Sequence, residues 1–455
     1  MATEHCPTAP FVRIPAAASG IDSKWRETRG PSLYRLNSLL PAIAIVLMIL
    51  PIAKAMIDRW FTVGLFGVWG LIAVIQRPGW PRRMSRYLYL VPLWVVYASY
   101  QVVTAGTGLR VIGGYLLFLA PALVFDYYRE DSRTLVILTV AAILNFLCGT
   151  ITSIQVLLVN PMAARQASTG LVQFRDLAAS GVGEYRFTYG AALLLPMLVA
   201  ISVGAGRTLR QRVLSLACSC VFAYFLYLAS FGISIGIMIV GTICALIHHI
   251  RSRDLRLIAS LSAIFAGFLF VSGLGADLML SVSRSIGSEM LSRKAIDLAA
   301  VLSGNVEEFG RGTLYQTSID TFVKHPITGV GAYYSTVRDD SAMGHGIGSH
   351  SDLFDTLARF GLVGTGIFLS IMFPLAFRAA SEWKGTAYGS AASTMWILLF
   401  LFCCLDPVSR QTEIGVVVFL LWPALPHAFA PGRPARRRLS SGAIWSSPPA
   451  KGFAR

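Results

Sequence analysis

The sequence predicts an all-α fold: a polytopic membrane protein with about twelve transmembrane helices and a large helical periplasmic loop. Three observations predict it. Of 455 residues, 55% are hydrophobic and only 14% charged, against roughly 25% charged in a soluble domain. Apolar stretches recur from Leu36 to Phe429, many near the length of about 20 residues that a bilayer crossing needs. Short basic clusters separate these stretches at alternate positions.

That length places helices near 36–57, 60–77, 87–104, 109–127, 133–159 and 187–205. The second set falls near 212–229, 231–249, 255–274, 353–377, 389–405 and 412–429. Basic residues test the threading, because Lys and Arg accumulate in cytoplasmic loops. With a cytoplasmic N-terminus, the inner loops hold Arg77, Arg82, Arg83 and Arg86, then Arg129 and Arg133, then Arg207, Arg210 and Arg212. Arg251, Arg253 and Arg256 follow, then Arg378 and Lys384, and finally Arg433, Arg436, Arg437 and Arg438. All fall on one side, and one missed helix in the middle would break the alternation.

The chain therefore divides into a cytoplasmic N-terminal tail (1–35), a polytopic domain (36–429) and a basic cytoplasmic C-terminal tail (430–455). Residues 1–35 lack the apolar core of a signal peptide. The outer segments 160–186 and 276–352 are long. Segment 276–352 holds six basic and nine acidic residues, a formal charge of −3, opposite to the inner loops. Within it, Leu291, Ala295, Leu298 and Leu302 form a helical stripe suited to the membrane surface. Leu314, Tyr315, Ile319 and Phe322 make a second amphipathic pattern, which Pro326 stops before a tight turn at Gly329 and Gly331.

The net charge of +16 is spread as topology signals, which excludes a nucleic-acid-binding face. Cys148, Cys218, Cys220, Cys244, Cys403 and Cys404 lie in apolar stretches and Cys6 in the tail, so no disulfide framework is expected. Nearly charge-free helix centres, with Lys54 and Asp58 towards an outer end, argue against an ion-coupled transporter or flippase. His345, His350, Asp339, Asp340 and Asp352 match no zinc or calcium spacing, so no metal site is expected.

The chemistry-bearing stretch is His350-Ser351, nine residues, then Gly361-Leu362-Val363-Gly364. As one helix capped by Ser349 or Ser351, it would set Phe354, Leu357, Gly361 and Gly364 on the face of His350. The glycines would let another helix or a lipid tail approach. Upstream stand Arg311-Gly312-Thr313-Leu314-Tyr315 and His325-Pro326-Ile327-Thr328-Gly329-Val330-Gly331.

These three elements, in this order and in a large outer loop, resemble the O-antigen ligase and polymerase superfamily. They match its His-Asn/Ser/Gln, nine residues, Gly-x-x-Gly segment, its Arg-x-x-Leu-Trp element and its His-Pro-Leu-x-Gly-Val-Gly turn. The likeness is specific over about 311–366. Two departures stand out: Ser230-Phe231-Gly232 where such proteins often carry Ser-Arg-Gly, and Arg359 where Glu is frequent.

The resemblance implies a bacterial inner-membrane glycosyltransferase without cofactor, working on the periplasmic side. The donor would be an undecaprenyl-diphosphate-linked oligosaccharide and the acceptor a sugar hydroxyl, for a polysaccharide polymerase. The alternative is a ligase that moves polymer onto lipid A-core. Membrane lipid and a chain-length regulator are the further partners implied.

Arg311 suits the leaving diphosphate, through several planar donors. His350 suits the attacking hydroxyl. Arg186 and Arg359 are secondary diphosphate candidates. Each has a structural alternative: capping for His350, pairing with Glu307 or Glu308 for Arg311, and surface pairing for Arg186 and Arg359. His325 reads as structural in its turn, and His248 and His249 as interfacial.

Overall fold

The computed structural model describes residues 31–429, without 85, 105–109, 169–174, 205–207, 251, 270–274, 332–346, 349 and 384–388. Of 286–310, only Ser292, Ala295, Ile296 and Ala299 are described. Both chain tails and the leucines of the 291–302 stripe thus lie outside the described residues.

Helix is the only regular structure among the described residues, and it fills the apolar stretches. In chain order the main helices are α1 (Pro31–Ile49), α2 (Arg59–Gln76), α3 (Leu90–Thr104), α4 (Arg110–Tyr128) and α5 (Ser132–Val159). After the short α6 (Ala163–Ser168) come α7 (Tyr185–Val203), α8 (Leu209–Ala229), α9 (Gly232–His248), α10 (Arg253–Leu269) and α11 (Gly275–Ser285). Next are α12 (Arg311–Lys324), α13 (Asp352–Ser381), α14 (Gly389–Leu405), α15 (Thr412–Val416) and α16 (Trp422–Phe429).

Five are long and apolar enough to cross a membrane: α2, α5, α7, α8 and Asp352–Arg378 of α13. Asn37–Ile49, Ile112–Tyr128, Gly232–His248 and Thr412–His427 are apolar but shorter. Large side chains such as Leu71, Val96, Val103, Ile137, Leu158 and Phe377 point outwards, as expected where lipid is the solvent. The centre is α7, flanked by α8 and α9. A Cβ on Gly241 of α9 would lie 2.5 Å from Pro196 of α7, so a residue without a side chain sets that close approach.

Three expected helices are interrupted. The 36–57 stretch breaks at Leu50, which is extended (φ −68°, ψ 120°) before Pro51, because proline disfavours helical backbone in the residue before it. The 412–429 stretch is α-helix, then a π-helical turn over Val417–Leu421, then α-helix again. The 353–377 stretch breaks at Gly361, as described below.

Helix ends expected on one side meet each other. On the side of the basic loops, the Asn37 amide donates to Gln76 (2.6 Å) and to the Tyr127 hydroxyl (2.8 Å). Arg378 pairs with Asp126 at 2.6 Å and Arg129 with Glu382 at 2.8 Å. At the other side, Lys54 pairs with Glu413, Tyr189 with Asp406, and Ser409 with Asp352.

Candidate active site

Two of the sequence elements are one physical unit. α12 ends at Lys324, and the His325 amide donates to Thr321 and Phe322 carbonyls at 3.1 Å. Pro326 cannot extend the helix, and the turn closes with Gly329 N–H on His325 C=O at 3.0 Å. This turn is plugged into the break of α13. There Gly361 has φ 60° and ψ −167°, a conformation essentially restricted to glycine.

The break leaves helix carbonyls and amides without their own-helix partners, and the turn supplies them. Val330 and Gly331 amides donate to Ala358 (3.0 Å) and Arg359 (2.8 Å) carbonyls. Leu362 and Val363 amides donate to Pro326 (2.8 Å) and Ile327 (3.2 Å) carbonyls. The Tyr97 hydroxyl from α3 reaches the Phe360 carbonyl at 3.0 Å. A Cβ on Gly329 would fall 2.4 Å from Arg359 backbone, and one on Gly361 2.3 Å from the Ile327 oxygen.

The expectation of one continuous helix is thus corrected. His350 lies on a bend before the helix, and the Gly361 break ends the stripe shared with Phe354 and Leu357. Gly361 admits the 326–331 turn, not a helix or a lipid tail. Gly364 does admit a helix, since its Cβ would fall 2.4 Å from the ring of Tyr97.

The N-terminal end of α13 is a buried polar knot. Ser351 accepts from Phe354 N–H at 3.4 Å, as an N-cap does. Asp352 (5% exposed) accepts from Ser409 at 2.5 Å, and Asp355 (2%) from Ser318 of α12 at 2.7 Å. Carboxylates in a first turn are favoured by the helix dipole. The Gly348 amide donates to Ser318 at 2.9 Å, and a Cβ on Gly348 would fall 2.0 Å from the Leu314 carbonyl. Half-buried His350 is therefore held between a docked glycine and a helix cap. Arg311 opens α12, one turn before Leu314; its side chain, Glu307 and Glu308 lie outside what the structure describes.

Arg359 is 2% exposed, so surface pairing does not describe it; it closes the first segment of α13, at the break. Arg186, in the first turn of α7, is half-buried. Its Nε donates to the Tyr185 hydroxyl at 3.0 Å, and Glu184 lies 4.0 Å away. Glu184 is also 3.8 Å from Lys54, whose ammonium contacts the fully buried Glu413.

From Arg186 a row of rings runs inward: its guanidinium is 5.3 Å from Tyr185, Tyr185 is 5.7 Å from Tyr189, and Tyr189 is 6.4 Å from Phe231. At the far end, the guanidinium of Arg165 lies 5.7 Å from Phe231 and donates to the Ser230 carbonyl at 2.8 Å. Where Ser230-Phe231-Gly232 lacks an arginine, α6 brings one.

The segment 405–411 links these groups, and sequence reasoning missed it. Tyr315 donates to the Leu405 carbonyl (3.3 Å), Tyr189 to Asp406 (2.7 Å) and Ser409 to Asp352. The available signal was Asp-Pro-Val-Ser-Arg between two apolar helices. Among the described residues no group of three or more His, Cys, Asp or Glu could hold a metal ion.

Such a site is gathered from the ends of apolar helices, and helices of this length and composition suggest a multi-pass membrane protein. Residues 186–369 match the family described as O-antigen ligase, a match that supports the O-antigen ligase/polymerase superfamily, whose members are membrane glycosyltransferase-like enzymes. The match starts at Arg186 and ends just past Gly364. Arg165, Asp406, Ser409, Glu413 and Lys54 lie outside it. No curated protein matches the chain.

Proposed function

We propose that the protein is a polysaccharide polymerase of the bacterial inner membrane, with undecaprenyl-diphosphate-linked oligosaccharide as donor. One observation carries the reading: the His325–Gly331 turn, the α12 helix that Arg311 opens and the His350–Gly364 segment pack as a single unit. In the reaction, the acceptor oxygen attacks the anomeric carbon while the bond to the diphosphate breaks and its electron pair leaves with the phosphate oxygen. The hydroxyl proton passes to His350. Arg311, with Arg186 and Arg359, offsets the charge gained by the leaving diphosphate.

The direct test supplies purified protein with a lipid-diphosphate repeat unit, alone or with lipid A-core. Chain growth without core supports the polymerase; transfer only to core identifies the ligase, and no transfer to either rejects both. Arg311→Lys keeps the charge but loses the planar fork, so its rate should fall well below wild type. A wild-type rate would remove Arg311 from the diphosphate site.

The twelve-span threading with cytoplasmic termini belongs to the same proposal. It is supported by the meeting of helix ends side by side, with basic loops at one side only. Reporter fusions after Gly310 should read as periplasmic and those after Arg212 as cytoplasmic; the reverse at either site overturns the threading.

A further inference from the structure

We infer that α12 and the turn behind it form a re-entrant hairpin, which dips into the bilayer to the level of the Gly361 break. One flank of the hairpin lies against lipid chains, and the adjacent flank lines a water-filled cleft. Which side is outer follows the threading proposed above. The insertion itself rests on neither that threading nor the glycosyltransferase reading.

Contacts along α12 fix its direction. Tyr315 stands beside Phe354, with ring centroids 6.1 Å apart, and donates to the carbonyl of Leu405, the last residue of α14. Further down, Ser318 donates to Asp355, and at the foot Ile327 accepts from the Val363 amide. By Gly348 the chain is level with Leu314 and Ser318 again. The excursion therefore starts and returns near the helix ends and turns below them.

Two helices give the same depth for the turn. From Asp352 to Gly361 is nine residues, about 13 Å of helix at 1.5 Å per residue. The Tyr97 hydroxyl bonds the Thr328 and Phe360 carbonyls at 3.2 and 3.0 Å. Tyr97 is the middle residue of the 15-residue α3, about 10 Å from either end. The hydrocarbon core is about 30 Å thick, so the turn lies well inside one leaflet. Irregular backbone at that depth needs protein partners, and the four hydrogen bonds between turn and break supply them.

At about 100° per residue, the exposed side of α12 is split lengthwise. Ile319, Phe322 and Val323 fall on one flank. Val323 is 69% exposed, and Ile327 beyond it 65%. Ile327 continues the surface of Leu362 and Val363, exposed apolar residues of the spanning helix α13. The face that meets lipid on α13 thus extends onto the tip of the hairpin.

Gln316, Asp320 and Lys324 fall on the adjacent flank, all exposed, and Gln316 donates to Asp320 at 2.6 Å. An exposed carboxylate or ammonium is costly against lipid chains. This flank therefore faces water, and the cleft admits a hydroxyl-rich ligand to the level of the break.

The test labels single introduced cysteines with a charged, membrane-impermeant maleimide, on full-length protein in nanodiscs, where both bilayer faces are open to reagent. Labelling is read peptide by peptide by mass spectrometry, so the native cysteines stay in place. Gln316→Cys, near the helix ends, sets the rate for open water. Lys324→Cys should be labelled at a similar rate. Its neighbour Val323→Cys, and Ile327→Cys, should be about ten-fold or more slower, because the reacting thiolate is disfavoured in hydrocarbon. All should react alike once unfolded in SDS. Asp320→Cys, higher on the polar flank, reads the cleft independently if Lys324→Cys folds poorly.

Val323→Cys and Ile327→Cys labelled as fast as Gln316→Cys would put the hairpin in water and overturn the re-entry. Polar-flank cysteines as slow as Val323→Cys would remove the cleft and overturn the two-sided hairpin. Either result leaves the glycosyltransferase reading standing. Reporter fusions that read in reverse would instead overturn the threading and leave the labelling pattern, and the hairpin, in place.

Discussion

Replacing His350 by alanine should lower the rate of glycan transfer roughly 10²–10⁴-fold, the usual contribution of a positioned general base. Donor binding should stay near normal, because the proposed diphosphate contacts come from Arg311, Arg186 and Arg359 rather than from the imidazole. The geometry favours a group held for use. Gly348 is seated so tightly on Leu314 that a Cβ there would come within 2.0 Å of its carbonyl, and two residues later Ser351 caps α13. Between these anchors the backbone at His350 has little freedom, while its side chain stays half-buried rather than sealed. Ser351→Ala should be milder, since an N-cap is typically worth about 1 kcal/mol. The measurement is single-turnover transfer, with the amount of protein in the membrane checked first. A His350→Ala protein made at wild-type level that builds full-length polymer at the normal rate would make the histidine a structural residue only.

Much of the fold was legible because lipid imposes one rule on every crossing segment: it must be apolar and must satisfy its own backbone. Length and hydropathy located the helices, and the arginine clusters located the loops. What failed was continuity. Leu50 and Gly361 break helices whose composition is uniformly apolar. The cause of the second break lies in sequence about 30 residues away, in a turn whose amides and carbonyls complete the helix.

The site shows the same division. Spacing singled out His350, Ser351, Gly329 and Gly361, and the structure packs their segments together. Asp406, Ser409 and Arg165 were invisible, because each works through a partner distant in sequence: Tyr189, Asp352 and Ser230. A lone Asp-Pro between two apolar stretches reads as a connector, and only three-dimensional contact shows it gathering α7, α12 and α13. The 2% exposure of Arg359 likewise reverses its surface-pairing alternative.

Gly361→Ala should be the most damaging small change in the protein. Its backbone, φ 60° and ψ −167°, lies where any side chain costs about 1–3 kcal/mol in strain. The added Cβ would also sit 2.3 Å from the Ile327 oxygen, too close to be relieved without moving the turn. Moving it opens four hydrogen bonds between the turn and the break, each worth about 1 kcal/mol net and more where burial leaves the groups unsatisfied. The sum is several kcal/mol, a large fraction of a typical domain's stability of about 5–15 kcal/mol.

The effect on function should exceed the effect on abundance. The segment that carries Ser351, Asp352 and Asp355 is joined to the rest of α13 through this break, so a shifted turn misplaces His350. Gly366→Ala is the matched control: it lies five residues on in the same helix, a Cβ there meets nothing within 4 Å, and alanine favours helix over glycine by about 1 kcal/mol. Thermal denaturation in detergent and transfer assays should show Gly366→Ala at or above wild type and Gly361→Ala destabilised and inactive. Gly329→Ala, with φ 71° and a Cβ 2.4 Å from Arg359 backbone, breaks the same joint from the other side. Its loss and that of Gly361→Ala should therefore be far from additive in the double variant, since contacting residues share one interaction energy. Additive losses, or a Gly361→Ala protein that melts and turns over like wild type, would show that the turn and the broken helix are neighbours without being coupled.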